Sequence, residues 1–230
     1  MQDRHVVVLS GAGISAESGL ATFRGAGGLW EGVPVAQVAT PEGWRNDVGR
    51  VLRFYNERRR AVRAAQPNAA HFALKELESI FKVTIITQNI DDLHERAGSS
   101  RVLHLHGEIL KSRSSRDDRM ITECAGDISP GDRAEDGSQL RPHVVWFGEA
   151  VPMMNEAITV AKAADFFLVV GTSLEVYPAA SLLDYVPQDA PKFLVDPMPV
   201  DLSDERVHVV QATASEGVPR VVAHLRSMMA

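Results

Sequence analysis

Five short apolar runs are spread along this chain, and helical patterns lie between several of them. The runs cover residues 5–9, 83–86, 166–170, 192–195 and 207–210. Apolar positions at helical spacing are Ala70, Ala73, Leu74, Leu77 and Ile80, and later Val218, Val221, Val222, Leu225 and Met229. Short runs that are apolar on both faces are typical of buried parallel strands. Their alternation with helices predicts an α/β fold built on a doubly wound parallel sheet.

Two long stretches interrupt this alternation. Residues 25–66 contain no clear strand and carry seven arginines between positions 45 and 63. Residues 111–141 are polar and rich in Gly, Ser, Asp and Arg. We expect both stretches to form a smaller lobe above the carboxyl ends of the strands. A cleft between this lobe and the sheet is then the predicted ligand site.

The composition narrows the class of protein. The 230 residues carry a net charge of −6, which disfavours nucleic acid or an anionic membrane as a partner. No apolar stretch approaches the roughly 18 residues that a membrane-spanning helix needs. Cys124 is the only cysteine, which rules out an internal disulfide, and no signal-peptide pattern precedes the first apolar run. We therefore expect a cytoplasmic protein, while its oligomeric state stays undefined.

A glycine-rich segment follows the first apolar run. Gly11, Gly13 and Ala16 satisfy a relaxed dinucleotide-binding fingerprint, in which backbone N–H groups face a pyrophosphate. The same spacing also suits a strand-to-helix turn that needs glycine for its geometry alone. Dehydrogenases carry an acidic residue about 20 positions later, after a second strand. Glu31 has the spacing but not the strand context, so an ordinary dehydrogenase is disfavoured.

Polar side chains follow the second apolar run. Gln88, Asn89 and Asp91 stand where a buried strand should end, which is where open α/β sheets bind ligands. Such side chains are suited to hold a ribose and a carboxamide by hydrogen bonds. The alternative is an Asx-type turn that caps the next helix.

Two histidines stand two positions apart, at His104 and His106. In an extended segment both would point to the same face, and a histidine can take a proton from a hydroxyl near neutral pH. Histidines with satisfied structural hydrogen bonds are the alternative. Gly107 follows directly and favours a tight turn that lines a cleft at His106.

Two further segments complete the candidate site. Phe23 and Arg24 follow the glycine-rich segment, where an arginine either meets a phosphate or carboxylate or faces solvent. Gly171, Thr172 and Ser173 follow the third apolar run. This small-residue turn suits a phosphate or a ribose, and a plain strand-to-helix loop is the alternative.

Taken together, these segments resemble the sirtuins, the NAD-dependent protein lysine deacylases. The matching motifs occur in the family's order and cover nearly the whole chain. They are residues 11–19 with Phe23-Arg24, residues 87–94, 105–107, 145–149, 171–174 and 176–178. The resemblance implies a Rossmann-like NAD-binding domain made of residues 1–24, 67–103 and 149–230. It also implies a small lobe made of residues 25–66 and 104–148.

The resemblance implies roles for the site residues. His106 is the implied general base, and Asn89 and Asp91, around the nicotinamide ribose, complete the catalytic set. The implied NAD-binding residues are Gly11, Ala12, Gly13, Ala16, Phe23, Arg24, Gln88, Asn89, Asp91, His106, Gly171, Thr172, Ser173, Asp196 and Ala214. The residues implied to contact the peptide substrate, as added strands, are Val145, Phe147, Gly148, Glu149, Val176 and Tyr177.

The implied reaction consumes NAD. An acyl-lysine oxygen attacks the nicotinamide ribose, nicotinamide leaves, and His106 deprotonates a ribose hydroxyl that attacks the resulting imidate. Free lysine and O-acyl-ADP-ribose are the implied products. Two other functions stay open: a mono-ADP-ribosyltransferase with the same NAD site, and a non-catalytic NAD or ADP-ribose sensor. A sensor has no need of a base, which counts against it.

A second match concerns the acyl group. Tyr55 and Arg58 resemble the Tyr-x-x-Arg element of the sirtuin subclass that removes acidic acyl groups. On a helix the two residues share a face, where a phenol and a guanidinium can grip a succinyl or malonyl carboxylate. Acetyl-lysine is still expected to fit. The alternative is a solvated arginine-rich helix face that includes Arg59, Arg60 and Arg63.

The chain departs from the family most clearly in its small lobe. Most sirtuins hold a structural zinc there with four cysteines, which Cys124 alone does not allow. We predict a degenerate lobe without zinc. Because zinc contributes folding energy to such modules, we expect residues 111–141 to be the least ordered part of the chain. A smaller departure is Asp196, where many relatives carry an asparagine near the adenosine ribose.

Overall fold

The structure is a computed structural model that describes residues 4–22, 29–30, 32–198 and 206–228. Its strands are β1 (His5–Ser10), β2 (Leu29–Trp30), β3 (Val33–Pro34), β4 (Lys82–Thr87), β5 (Val102–His104), β6 (Gly107–Ser114), β7 (Ile121–Glu123), β8 (Leu140–Val144), β9 (Phe166–Val170), β10 (Lys192–Val195) and β11 (Val207–Val210). Its α-helices are α1 (Val35–Val38), α2 (Pro41–Asn46), α3 (Val48–Ala64), α4 (Ala69–Leu77), α5 (Leu93–Arg96), α6 (Met154–Lys162) and α7 (Ala214–Ser227). Short 3-10 helices cover Ala12–Ser18 and Ala179–Tyr185.

Six parallel strands form the main sheet, in the order β11-β10-β9-β1-β4-β5. The chain moves outward from β1 to β4 and β5, and then returns to the other side of β1 for β9, β10 and β11. The direction reverses between β1 and β9, which makes this the switch point where open α/β sheets bind ligands. The predicted doubly wound sheet and all five predicted strands are confirmed.

Both faces of this sheet are covered, as the apolar runs require. Val6 and Val8 of β1 pack with α4 and α7, and Val7 and Leu9 pack with α6 and the second 3-10 helix. Side chains alternate between the faces of a strand, so a run without polar residues needs an apolar layer on each side. Within the described residues, no helix combines the length and apolar character that crossing a bilayer demands.

The segments outside the main sheet form two smaller sheets and a helical cluster. A β2–β3 hairpin lies within residues 25–66, where the sequence showed no strand, because two-residue strands leave no periodic pattern. Residues 111–141, expected to be poorly ordered, instead contribute to a three-stranded antiparallel sheet of order β7-β6-β8. Apart from the apolar layers on the two faces of the main sheet, helices α1 and α3 bury Val38, Val51 and Tyr55 beside Trp146 in another apolar cluster.

One face of α3 is joined by hydrogen bonds to residues 109–128 of the same small lobe. Asn56 donates to the Ile128 carbonyl (2.9 Å) and accepts from the Ile128 N–H (3.0 Å). Arg59, which is 1% exposed, donates to the Ile109 carbonyl (2.8 Å), and Arg63 donates to the Ala125 carbonyl (2.6 Å). The solvated-face alternative is therefore wrong for Arg59. These contacts explain how this part of the lobe can fold although the chain has only one cysteine.

The zinc-free lobe itself stays a prediction. Among the described residues, no group of three or more His, Cys, Asp or Glu side chains is placed to hold a metal ion.

Candidate active site

A cleft of about 640 Å³ opens at the carboxyl ends of the central strands. The loops after β1, β4 and β9 line it, together with the start of α7, one side of α3 and residues 144–149. The predicted site residues that line it are Gly11, Ala12, Gly13, Ala16, Tyr55, Arg58, Gln88, Asn89, Asp91, His106, Val145, Phe147, Gly148, Glu149, Gly171, Thr172, Ser173, Val176, Tyr177, Asp196 and Ala214. The structure thus brings every predicted site residue together, apart from Phe23 and Arg24, which lie outside the described residues.

The two glycine-containing loops meet backbone to backbone at the switch point. The Gly13 N–H donates to the Gly171 carbonyl (2.8 Å), and a Cβ added at Gly13 would lie 2.6 Å from the Gly171 Cα. Gly171 has a φ of +60°, which glycine adopts most readily. This packing by itself accounts for the glycines. The argument for a bound dinucleotide therefore depends on the polar groups around them.

Ser15 links the β1 loop to the polar residues after β4. The Asn89 amide donates to the Ser15 hydroxyl (3.1 Å), which donates to the Asp91 carboxylate (3.0 Å). Asp91 also accepts from the Leu93 N–H (3.2 Å), so the predicted Asx-type turn is present as well. Burial raises the pKa of Asp91. Two nearly buried polar side chains are thereby held in one orientation at the cleft.

His106 is held as a neutral base. Its Nδ1 lies 2.9 Å from the Gln88 carbonyl oxygen, and because a carbonyl only accepts, Nδ1 carries the proton and Nε2 keeps its lone pair. Burial lowers the pKa of His106 and so favours the neutral ring at pH 7. His104 instead contacts Glu95 (2.8 Å) and the Asn89 carbonyl (3.1 Å). The two histidines differ because strand β5 ends at His104, so His106 does not continue the extended segment.

Other polar groups along the cleft fit a dinucleotide. The Gln88 amide donates to the Thr172 hydroxyl (3.0 Å) and joins the β4 and β9 loops. Thr213 lines the cleft just before α7, and its hydroxyl oxygen is buried without a hydrogen-bond partner in the described structure. A buried unpaired hydroxyl is costly unless a ligand pairs with it. Sequence reasoning missed Thr213, since it belongs to no motif. Burial raises the pKa of Asp196 nearby.

Tyr55 and Arg58 lie on the α3 side of the cleft. Tyr55 is fully buried, and its hydroxyl oxygen accepts a hydrogen bond from the Trp146 indole N–H (3.0 Å). Arg58 is 6% exposed, donates to the Ala21 carbonyl (3.0 Å) and lies with its guanidinium 5.1 Å from the Trp30 ring centre. The helical spacing of Tyr55 and Arg58 thus places a phenol and a cation beside the same cleft.

Glu149 is engaged within the protein. Its carboxylate accepts from Arg141 (2.7 and 3.1 Å), from Arg113 (3.3 Å) and from the Trp146 N–H (2.8 Å). Burial acts to raise the pKa of Glu149, but the hydrogen bonds from Arg141 and the Trp146 N–H, together with the charges of Arg141 and Arg113, lower it overall. The Glu149 N–H also donates to the Trp146 carbonyl (3.0 Å), so the backbone carbonyl is the part of Glu149 left for the predicted pairing with a peptide.

The fold and the cleft define an α/β protein with a cleft at its switch point, beside a neutral histidine. The chain belongs to the Sir2 family, whose model matches residues 11–178. It is 54% identical over 222 residues to an "NAD-dependent protein deacylase" of Bacteroides thetaiotaomicron, which covers 94% of this chain and 95% of the relative.

Solved structures of the family share the fold of this chain at lower sequence identity. A "Sir2 homolog-NAD complex" superimposes with a TM-score of 0.88 at 38% identity, covering 98% of this chain and 91% of that one. A "Sir2 bound to acetylated peptide" superimposes with a TM-score of 0.80 at 29% identity, covering 97% and 94%. The cofactor of the family is NAD, in agreement with the prediction from sequence.

Proposed function

We propose that this protein is an NAD-dependent protein-lysine deacylase that prefers succinyl and malonyl groups and also accepts acetyl. Family membership and the name of the relative at 54% identity support the deacylase activity. The observation that carries the proposal is a cleft that has a neutral His106 beside Asn89, and Tyr55 with Arg58 on its α3 side. The first group suits proton abstraction and the second suits a carboxylate.

The residues around His106 would position and deprotonate a ribose. When bound, NAD supplies the ribose that accepts the acyl group. Ser15 holds Asn89 and Asp91 in place for hydrogen bonds to that ribose. His106 would accept a hydroxyl proton at Nε2, while the hydrogen bond from Nδ1 to the Gln88 carbonyl stabilises the protonated ring. The proposed products are nicotinamide, free lysine and O-acyl-ADP-ribose.

The α3 side of the cleft would recognise an acidic acyl group. Arg58 supplies a positive charge, and burial raises the pKa of Tyr55, so that Tyr55 keeps its hydroxyl hydrogen. Hydrogen bonds to a charged partner contribute about 1.5–3 kcal/mol, which is roughly ten- to a hundredfold in selectivity. An acetyl group has no carboxylate to accept these hydrogen bonds. Because it is uncharged, it can still enter the cleft without the cost of burying a charge.

The peptide would bind at the exposed rim of the cleft. Phe147 and Tyr177 are 40% and 73% exposed, and both line the cleft. A related solved structure is named as bound to an acetylated peptide. We propose pairing of the peptide backbone with residues 145–149 and 176–177 as added strands, between the proposed NAD-binding domain and the small lobe.

A competition assay tests the substrate class. The protein is incubated with NAD and equal amounts of acetyl-lysine and succinyl-lysine peptides, and products are measured by mass spectrometry. Faster loss of succinyl together with succinyl-ADP-ribose supports the proposal. Loss of acetyl alone contradicts the acidic preference, transfer of ADP-ribose to protein indicates a transferase, and intact NAD with no loss of either acyl group indicates a sensor.

Arg58→Met should lower kcat/KM for the succinyl peptide by about ten- to a hundredfold, because the charge-assisted bonds are lost. The acetyl peptide should change by no more than about threefold, since an acetyl group forms no such bonds. Arg53→Met is the matched control, because Arg53 lies on the same helix and is exposed. Equal losses for the two peptides would contradict the role of Arg58.

A further inference from the structure

The contact between Trp146 and Tyr55 has a fixed direction. An indole N–H is a donor only, so the Tyr55 oxygen accepts in the 3.0 Å hydrogen bond from Trp146. The Tyr55 hydroxyl hydrogen must therefore point to another acceptor. No described residue accepts it, although Tyr55 is fully buried and borders the cleft. The Tyr55 hydroxyl hydrogen is thus left to bond to an acceptor on a molecule bound in the cleft.

The indole of Trp146 is held in place by charged neighbours. The Arg141 guanidinium lies 3.3 Å from the centre of the indole ring and binds both oxygens of Glu149. Glu149 in turn accepts from the backbone N–H of Trp146 (2.8 Å) and from Arg113 (3.3 Å). Trp146 is 2% exposed, Arg141 packs on its ring and Glu149 binds its backbone, so these neighbours fix the direction of its indole N–H.

We propose that Trp146 is a specificity-determining positioning residue, which turns the Tyr55 hydroxyl hydrogen toward the acyl end of the cleft. Tyr55 then presents a donor, and not an acceptor, to the acyl group. A carboxylate accepts this hydrogen, whereas the methyl group of an acetyl cannot, and a buried donor without an acceptor is costly. The inference deepens the proposed function and rests on it.

A double-mutant cycle tests the inference. The measured quantity is kcat/KM for a succinyl-lysine peptide divided by kcat/KM for the matching acetyl-lysine peptide, in the wild type, Trp146→Phe, Tyr55→Phe and the double variant. Trp146→Phe removes the indole N–H, so this ratio should fall by about three- to tenfold. The double variant should match Tyr55→Phe alone, because Trp146 acts through the Tyr55 hydroxyl.

Each other outcome overturns the inference in an identifiable way. Equal losses for both peptides, or a double variant well below Tyr55→Phe, would mean that Trp146 is only structural. A ratio that falls in Tyr55→Phe but not in Trp146→Phe would overturn this inference and leave the proposed function standing. A ratio unchanged in Tyr55→Phe would overturn both.

Trp44→Phe is the matched control. Trp44 packs against Trp146 with ring centres 5.6 Å apart, but its indole does not bond to the Tyr55 hydroxyl. The same loss of an indole should therefore leave the succinyl-to-acetyl ratio unchanged. A ratio that falls as far in Trp44→Phe as in Trp146→Phe would show that packing, and not the hydrogen bond, sets it, which overturns the inference.

A measurement on the wild-type protein keeps the inference testable if Trp146→Phe fails to fold. The indole N–H resonances are recorded by ¹⁵N-labelled NMR, and those of Trp44 and Trp30 are identified with their Phe variants, which leaves the Trp146 signal. That signal should shift when a succinyl-lysine peptide binds and move much less with an acetyl-lysine peptide. Equal shifts with both peptides, or none, would overturn the inference.

Discussion

At the scale of single residues, burial decides the protonation state of the groups that would do chemistry. Burial lowers the pKa of His106 and raises the pKa of Tyr55. Both shifts favour the neutral form, so that one residue can act as a base and the other as a hydrogen-bond donor. The hydrogen-bond partners complete this assignment, since the Gln88 carbonyl selects the tautomer of His106 and Trp146 orients Tyr55.

A pH profile checks the protonation state of His106. The proposed base works only when it is unprotonated, and burial lowers its pKa below the ordinary value of 6.5. The activity should therefore be constant around neutral pH and decline only as the pH falls through that lowered pKa. The measurement is kcat/KM with a saturating NAD concentration between mildly acidic and neutral pH. An acid limb centred above 6.5 would show that the base is not the buried His106.

His106→Ala should lower turnover by about a hundred- to ten-thousandfold, the usual contribution of a general base. Binding of NAD, followed by titration calorimetry, should be largely retained because the loops after β1 and β9 are unchanged. His224→Ala is the control, since His224 is an exposed histidine near the end of α7. Turnover close to the wild-type value in His106→Ala would remove His106 from the mechanism.

At the scale of elements, α3 serves two parts of the protein. One side carries Tyr55 and Arg58 to the cleft. The other side forms hydrogen bonds to residues 109–128. Asn56 bonds to Ile128, Arg59 to Ile109 and Arg63 to Ala125. One helix therefore connects the proposed acyl pocket to residues 109–128. A rigid helix suits this role, because residues three and four apart keep a constant separation.

Asn56→Ala tests whether α3 holds the lobe. The change removes the reciprocal bonds to Ile128 and an acceptor for Arg59, which should cost about 1–3 kcal/mol of local stability. Hydrogen exchange measured by mass spectrometry should rise in residues 107–144 and stay unchanged in the six-stranded sheet. Glu57→Ala, at an exposed position of the same helix, is the control. Faster exchange throughout the chain would contradict a local role.

At the scale of the whole molecule, the site joins segments that are far apart in sequence. The Gly13 N–H bonds to the Gly171 carbonyl, and the Gln88 amide bonds to Thr172. A ligand that contacts all three loops should stabilise the folded chain as a unit. A free ligand concentration of a hundred times Kd adds about 2.7 kcal/mol to the free energy of unfolding. For a chain of this size, this raises Tm by roughly 5–10 °C.

Gly13→Ala should abolish most of this gain in Tm with ADP-ribose. The added Cβ would lie 2.6 Å from the Gly171 Cα, so the two loops must separate and the cleft must change shape. Thermal denaturation with and without ADP-ribose measures the effect. Gly126→Ala is the control, because a Cβ there meets no atom within 4 Å. A full gain in Tm for Gly13→Ala would contradict a ligand site at this junction.

The sequence predicted the main sheet because its information is local. A buried parallel strand is apolar at successive positions, and five such runs were sufficient to define the doubly wound order of elements. The candidate site followed for the same reason, since Asn89 and Gly171 come directly after strands. Strand β5 of the main sheet, the β2–β3 hairpin and the antiparallel sheet of residues 107–144 were missed. Their strands are short or polar, and long-range pairing defines them.

The amino-acid sequence by itself determined the α/β class, the edge of the sheet where the cleft opens and most of the residues that line it. Only the tertiary structure decided that Arg59 is buried, that His104 and His106 have different partners, and that Trp146 sets the direction of the Tyr55 hydroxyl. The physical reason is that apolar periodicity is a property of residues close together in the sequence, so it can be recognised before the chain folds. Burial and hydrogen-bond partners come from segments that meet only when the chain folds.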